Sequence, residues 1–385
     1  DLHWSGASIG GVTSAAGLIG AALILLVGVL SDRMGRKPFL LIYEGLTVLA
    51  ALAACLTTDV AVLVLAIVIA GFGRGQSGAA GPFSPAEQAW LARVVDRDDR
   101  GPVFSLNNAV GFFGMAVGSM LGGLPGLLHG STPLANYRPV FALVMVLSLI
   151  CVVILITLRE EAAREEPLSL DTSRSFPSSA TEDDERQIRR QENRSLLILA
   201  AVNTLNGLAV GLTGPMMAYW FSLRYGVGTE AVGVTLAVGF LATGLFSIVN
   251  GVMARKVGMV KSVTWMRVIG SVMMFALPWM PNFAWASALY VLRNAVNRGT
   301  QGNRSALSAS LTRDQRRGFA TSVNALSMRL PSSIGPTITG YLFDLNELAL
   351  PLLLTAGLQL LNAGLYQWVF GRIDRTIAKK QSGDS

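Results

Sequence analysis

Eleven stretches of this chain are each long and apolar enough to cross a lipid bilayer as a helix, which takes roughly 20 mostly nonpolar residues. They lie near residues 8–31, 39–58, 61–92, 103–127, 139–158, 195–222, 231–252, 263–280, 285–310, 318–344 and 349–371. The bilayer interior offers backbone amides no water, so each stretch must satisfy its own hydrogen bonds, and a helix does this within one segment. Only 14% of the 385 residues are charged, against about 25% in soluble domains, which is too few to cover a soluble globule. The 41 glycines and 15 prolines follow no strict period, so a collagen-like chain is excluded. The expected fold is an all-α polytopic membrane protein. Stretch 61–92 exceeds one span, and its last turns, Ser84 to Leu91, are expected to leave the bilayer.

The remaining charges alternate in a way that sets an orientation. If loop 32–38 is cytoplasmic, loops 93–102, 159–194, 253–262, 311–317 and the tail from 372 share its side, and together they carry 23 Lys and Arg. The opposite loops carry two, Arg138 and Arg224. This is the positive-inside pattern. It accounts for the net charge of +7 without nucleic acid and places the linker and C-terminus in the cytoplasm. Six arginines fall within the spans: Arg74, Arg267, Arg293, Arg298, Arg304 and Arg329. Cys55 and Cys151 both lie in apolar stretches, and His3 and His129 have no clustered partner. No disulfide framework, thiolate metal site or cofactor is expected.

The chain repeats itself. Gly10, Gly28 and Gly35 recur as Gly233, Gly251 and Gly258 at an offset of 223. Arg100, Gly101, Ser105, Asn107, Gly118 and Gly123 recur as Arg317, Gly318, Ser322, Asn324, Gly335 and Gly340 at an offset of 217. Between them, Arg74-Gly75-Gln76-Ser77-Gly78 is echoed by Arg298-Gly299-Thr300-Gln301-Gly302. Matching loops on the same face make this a parallel repeat, an architecture of transporters built from two like halves. The expected organisation is an N-terminal bundle over 1–158, a charged linker over 159–194, a C-terminal bundle over 195–372 and a tail over 373–385. The second half has six spans and the first has five. The partner of 195–222 would end just before Asp1, so a first helix is expected to be missing from this sequence, and the visible bundles then hold helices two to six and seven to twelve.

At the end of the first visible span stands Gly28-Val29-Leu30-Ser31-Asp32-Arg33-Met34-Gly35-Arg36-Lys37. It resembles the loop G-x-L-x-D-R-x-G-R-K/R between the second and third helices of the major facilitator superfamily (MFS). A degenerate copy, Gly251-Val252-Met253-Ala254-Arg255-Lys256-Val257-Gly258, sits where that family places one. The resemblance implies two six-helix bundles that rock about a central cavity. It also implies that Asp32 clasps the start of the eleventh helix, near Gly318, and holds the cytoplasmic side closed. Physically, Gly28 permits close helix approach and Asp32 suits the positive end of a helix. Gly35 permits a tight turn, while Arg33, Arg36 and Lys37 are expected among lipid headgroups or acidic partners. Arg74 with Gly78, Ala79 and Ala80 is similar to R-x-x-x-G-x-x-A in the fourth helix of proton-coupled drug exporters, with Gln76 one place from the usual Gln. Gly114, Gly118, Gly122 and Gly123 are similar to the exporters' G-x-x-x-G-P-x-x-G-G, with Ser119 at the Pro position and Pro336 at its repeat.

Charges at membrane depth face a cavity or a partner. Arg74 and Arg298 are the deep, repeat-related candidates for the substrate and proton pathway. Arg293 and Arg304 are expected to snorkel toward the interfaces, and Glu44 to pair with the motif arginines. Gln76, Asn107, Asn108, Asn203, Asn206, Gln301 and Asn324 are the polar candidates for the cavity wall. There is no G-x-x-x-x-G-K-S/T loop, so ATP-driven transport is not expected, and no Ser/His/Asp or Cys/His constellation points to an enzyme. The expected protein is a monomeric secondary transporter of the bacterial inner membrane that moves a small molecule by alternating access. Proton-coupled efflux of drug-like or metabolite solutes is the first reading; uptake or exchange of an anionic metabolite through an arginine-lined cavity is the second. A non-transporting receptor is the outside alternative.

Overall fold

The structure, a computed structural model, describes residues 4–70, 90–91, 100–128, 136–158, 182–298, 300 and 317–381. Every long element among them is helical: α1 (Gly6–Met34), α2 (Lys37–Leu56), α3 (Val60–Ala70), α4 (Arg100–Gly122), α5 (Arg138–Thr157), α6 (Glu182–Thr213), α7 (Met217–Tyr225), α8 (Thr229–Val257), α9 (Met259–Ala276), α10 (Phe283–Arg298), α11 (Arg317–Asp344) and α12 (Leu350–Gln381). Short 3-10 turns follow α4 (Leu124–Leu127) and α9 (Leu277–Trp279). Among the described residues, seven helices are long and apolar enough to cross a membrane. The fold is an all-α polytopic bundle.

Three departures from the expected spans have local causes. The stretch 195–222 is two helices, because Pro215 has no amide proton and its ring conflicts with a continuing helix; α6 therefore stops at Thr213 and α7 starts at Met217. The α6 helix begins at Glu182, inside the charged segment read as linker. That segment cannot build a core, but Glu182 and Arg186, and Glu185 and Arg189, stand at the i, i+4 spacing that supports a solvated helix. The α12 helix likewise runs on past the expected span to Gln381 through basic residues.

The turns of the repeated motif match. Gly35 and Gly258, repeat equivalents, have φ of 87° and 101°, a region in which a Cβ is strained. The loops carrying these turns lie on one face of the bundle, termed here the basic face. The ends of α4 and α11 and the starts of α1 and α8 lie on the other, termed the Asp344 face.

The halves meet along two antiparallel seams, α1 on α11 and α4 on α8. Association of helices in lipid rests on close packing rather than on apolar burial, and glycines make both seams possible. A Cβ on Gly10 would run into the Pro336 carbonyl, and one on Gly233 would stand 2.7 Å from the Ser119 carbonyl oxygen. Gly10 and Gly233 are equivalents at offset 223, and Ser119 and Pro336 at offset 217, so the two contacts are one contact repeated. Further along, Thr337 Oγ1 and Ser14 Oγ hydrogen-bond at 2.7 Å, and Gly17 lies on Ser333. At the other seam Gly123 abuts Glu230, and Ala116, Ala237 and Phe240 form an apolar cluster.

All these contacts lie in the halves of the helices nearer the Asp344 face. Exposed apolar residues run along the whole length of these helices, Leu18, Leu26 and Leu30 on α1, Leu106, Val110 and Met120 on α4, and Val238, Leu245 and Val249 on α8, as a lipid-facing surface requires. The helix α11 also receives α6, where Gly207 and Gly211 lie against Met328 and Ser332. Pro331 and Pro336 inside α11 each deprive the carbonyl four residues earlier, on Ser327 and Ser332, of its helical donor. Thr204 Oγ1 of α6 reaches the Ser327 carbonyl at 3.5 Å, and Gly211 leaves room beside that of Ser332. Gly10→Ala is expected to destabilise the protein by about 1–3 kcal/mol through overpacking. Gly11→Ala, with nothing within 4 Å of its Cβ position, should be neutral or stabilising; thermal unfolding in detergent compares the two.

Candidate functional site

The motif loop is tied down more firmly than the sequence implies. Lys37 Nζ donates to the carbonyls of Ile156 and Leu158 at 2.9 and 2.6 Å, groups that the end of α5 leaves without intrahelical donors. Arg36 is only 7% exposed. The expectation of headgroup contact for these two residues is thus corrected: one is buried and the other caps a helix. Glu44 hydrogen-bonds the Ser148 side chain across the α2–α5 pair. For Gly28, Asp32 and Arg33 the structure describes the helical backbone alone, and their side chains lie outside the described residues, as do those of Asn108 and Asn324. All of Arg74, Gln76, Gln301 and Arg304 lie outside the described residues.

Of the described arginines in the spans, Arg298 and Arg329 are half-buried, while Arg267 is 1% exposed and has its guanidinium 5.4 Å from the Tyr366 ring centre. Arg293 is the unexpected one. It does not snorkel: it is 7% exposed and hydrogen-bonds Asn294 Oδ1 and Gln359 Oε1, each at 3.4 Å. It stands ten residues into α10, too deep for its side chain to reach water at that helix's start. Asn297 Nδ2 shares the Gln359 oxygen at 3.0 Å, and Arg293 Nε has no hydrogen-bond partner among the described residues. The guanidinium is thus held by neutral amides, an arrangement that supplies hydrogen bonds but no countercharge.

Arg298, one turn farther along α10, lies over the Phe240 ring of α8 at 5.4 Å, a cation–π contact. Phe240 in turn lines a cavity of about 530 Å³ between α4, α7 and α8, with Gly118, Ser119, Tyr219, Ser222 and Leu236 on its wall. Asn203 and Asn206 do not line an open wall. They are 4% and 1% exposed, and Asn206 stands on the face of α6 that carries the Val202 and Ala209 carbonyls, to which Asn362 and Thr355 of α12 donate. Asn206 Nδ2 is left without a hydrogen-bond partner among the described residues. Asn107 is half-buried on α4. Sequence reasoning missed Gln359, Asn294 and Asn297. A buried arginine needs acceptors, yet nothing in the sequence shows which turn of α12 faces α10.

Two glycine-lined seams, an in-bundle polar cluster and a broken α6–α7 helix define a multi-pass membrane transporter fold. The chain belongs to the Major Facilitator Superfamily, whose family model matches residues 1–294 and 199–385. An uncharacterized membrane protein of Saccharomyces cerevisiae is 22% identical over 91% of this chain and 84% of its own length. The multi-drug resistance efflux pump PmrA of Streptococcus pneumoniae is 29% identical over 37% of this chain and 36% of its own. The class C tetracycline resistance protein of Escherichia coli is 35% identical over 28% and 26%. Among solved structures, a D-xylose-proton symporter superposes with a TM-score of 0.74 at 15% identity, over 94% of this chain and 88% of its own. A point mutant of the nucleoside transporter NupG gives 0.69 at 16%, over 96% and 92%.

Gln359→Leu removes the acceptor shared by Arg293 and Asn297, and is expected to cost about 1–3 kcal/mol for the donors left buried. Gln359→Glu keeps the acceptor and adds a countercharge, so it should restore the melting temperature that Gln359→Leu lowers.

Proposed function

We propose that this protein is a proton-coupled exporter of drug-like or metabolite solutes that works by alternating access, with the basic face in the cytoplasm. One observation carries the reading. Both seams between the halves are closed by close backbone contact toward the Asp344 face. With the basic face in the cytoplasm, we read a carrier closed on the Asp344 face as inward-facing, the state in which an exporter loads. The partial similarity to an efflux pump and a tetracycline resistance protein supports the direction. The proton-relay role of Arg74 rests on its motif alone.

The pathway is better read from α8 and α10 than from the 530 Å³ cavity. On that wall Gly118 has nothing within 4 Å, whereas its repeat equivalent Gly335 lies against the backbone of Gly211 on α6. Arg298, over the Phe240 ring, faces the route we propose for a solute. A second reading, exchange of an anionic metabolite, is favoured by Arg293, which is buried at membrane depth with neutral amides as its described hydrogen-bond partners.

The two readings separate in everted membrane vesicles. Under proton-coupled export, a drug-like substrate added outside is concentrated within, collapses an imposed pH gradient on entry, and is no longer accumulated when the gradient is dissipated. Arg298→Ala is expected to lower the rate about five- to thirtyfold, since a desolvated charge contact contributes about 1–2 kcal/mol. Loss of exchange of a carboxylate or phosphate metabolite in Arg298→Ala, with recovery in Arg298→Lys and no response of the pH gradient, supports the second reading and rejects the first.

A further inference from the structure

The start of α1 is held by a carboxylate from the other half of the protein. The first amides of a helix have no intrahelical acceptor. In α1, Ser8 N donates to its own N-cap, Ser5 Oγ, at 3.1 Å. The two amides before it donate across the seam: Gly6 N to Asp344 Oδ1 at 2.6 Å and Ala7 N to Asp344 Oδ2 at 2.8 Å. Both oxygens of one carboxylate are thus engaged by one helix N-terminus, where backbone dipoles place roughly half a positive charge. The approach is possible because the contact is glycine on glycine: a Cβ on Gly6 would stand 2.5 Å from the Gly340 carbonyl oxygen.

Asp344 is also at the wrong end of its own helix. It is the last residue of α11, and the negative end of a helix disfavours an anion. Its favourable surroundings belong to α1, and they exist only while the halves touch on this face. If the seam opens, Gly6 N and Ala7 N lose their acceptor, and the carboxylate keeps only the unfavourable field of α11 and water. The contact is therefore bistable with the rocking of the halves, unlike the apolar contacts beside it, which exchange one dry surface for another.

We infer that Asp344 is the gate residue of the Asp344 face: its carboxylate, bound to the amides of Gly6 and Ala7, holds that face shut and sets how much of the protein is open on the basic face. The inference rests on alternating access and deepens that reading. It has a counterpart at the other end of the same helix pair. Because α1 and α11 are antiparallel, the end of α1 that carries Asp32 lies toward the start of α11, where the family resemblance places the opposite clasp. Each helix then contributes the acid that secures the other's start.

The test uses the full chain with Cys55 and Cys151 replaced by serine and one reporter cysteine at a time, in membrane vesicles with no solute added. Ser14→Cys places a thiol within the seam, where Ser14 is buried against Thr337. Leu106→Cys reports from the exposed wall toward the basic face. A membrane-impermeant maleimide is applied from the Asp344 face for the first and from the basic face for the second. Asp344→Ala is expected to raise the labelling rate of the first reporter about tenfold, a shift of about 1.4 kcal/mol in the conformational equilibrium, and to lower that of the second. Asp344→Asn, which keeps the size and removes the charge, serves if the alanine variant does not fold; Asp344→Glu should fall between it and the parent. Unchanged labelling of Ser14→Cys overturns the inference, and so does a rise at both reporters, which is local loosening and not a gate. If Leu106→Cys in the parent is unreactive from the basic face, the inward-facing reading fails instead, while the Ser14→Cys comparison still decides the role of Asp344.

Discussion

The structure depends on backbone-to-backbone contact between helices from different halves. In water such a seam would be driven by apolar burial; in lipid the acyl chains are as apolar as the side chains, so only close packing and hydrogen bonds favour it. The α1–α11 seam obtains both. Gly6, Gly10 and Gly17 bring α1 onto Gly340, Pro336 and Ser333, and Ser14 with Thr337 adds a hydrogen bond in the gap they create. The other side of α11 is committed as well. Its two internal prolines weaken its own hydrogen-bond ladder, and α6 covers that weakness with Thr204 beside Ser327 and Gly211 beside Ser332. Thr339 adds a hydrogen bond to the Leu212 carbonyl at the end of α6, a group the break at Pro215 leaves free. One helix thus serves as the hub between its own bundle and the opposite one.

Charge is distributed by the same logic. Lys37 is satisfied by the free carbonyls at the end of α5, and Asp344 by the free amides at the start of α1. In both cases the partner of a charged side chain is a helix terminus, whose groups need a partner in any event. Arg293 is the exception, deep in the bundle and held by side-chain amides. A cation placed there costs desolvation that neutral acceptors only partly offset. Arg298, five residues farther along α10, faces the Phe240 ring of α8 instead.

Much of this was legible in the sequence, for identifiable reasons. The spans read directly because lipid demands long apolar helices, and the repeat read because each half solves the same packing problem with the same glycines. Gly10 with Pro336 and Gly233 with Ser119 are the physical content of the two offsets. The break at Pro215 was visible as a residue but not as an event, since prolines at 331 and 336 leave α11 unbroken. The helical start of α6 at Glu182 was missed because polar composition argues against a core, and a helix outside the bilayer needs none. The fate of the arginines was the least legible part. Arg293 and Arg298 are five residues apart on one helix, yet one faces Gln359 of α12 and the other Phe240 of α8. Only the packing of the third helix in each pair distinguishes them.

The two seams repeat in their glycines and differ in their acids, and this difference bears on how the halves move. At the α1–α11 seam the acid is Asp344, on the opposing helix; the repeat position, 217 residues earlier, is Leu127 in the turn after α4. At the α4–α8 seam the acid is Glu230, in the first turn of α8 itself; its repeat position on α1, 223 residues earlier, is Ala7. A helix with an acid in its own first turn keeps that favourable interaction whatever its neighbour does, so the α4–α8 seam can slide without giving up a charge contact. The α1–α11 seam cannot separate without losing one. Among the described residues only the α1–α11 seam is latched by charge; on the rocking motion we propose, the α4–α8 side serves as the pivot, and the α1–α11 side sets the free energy of opening.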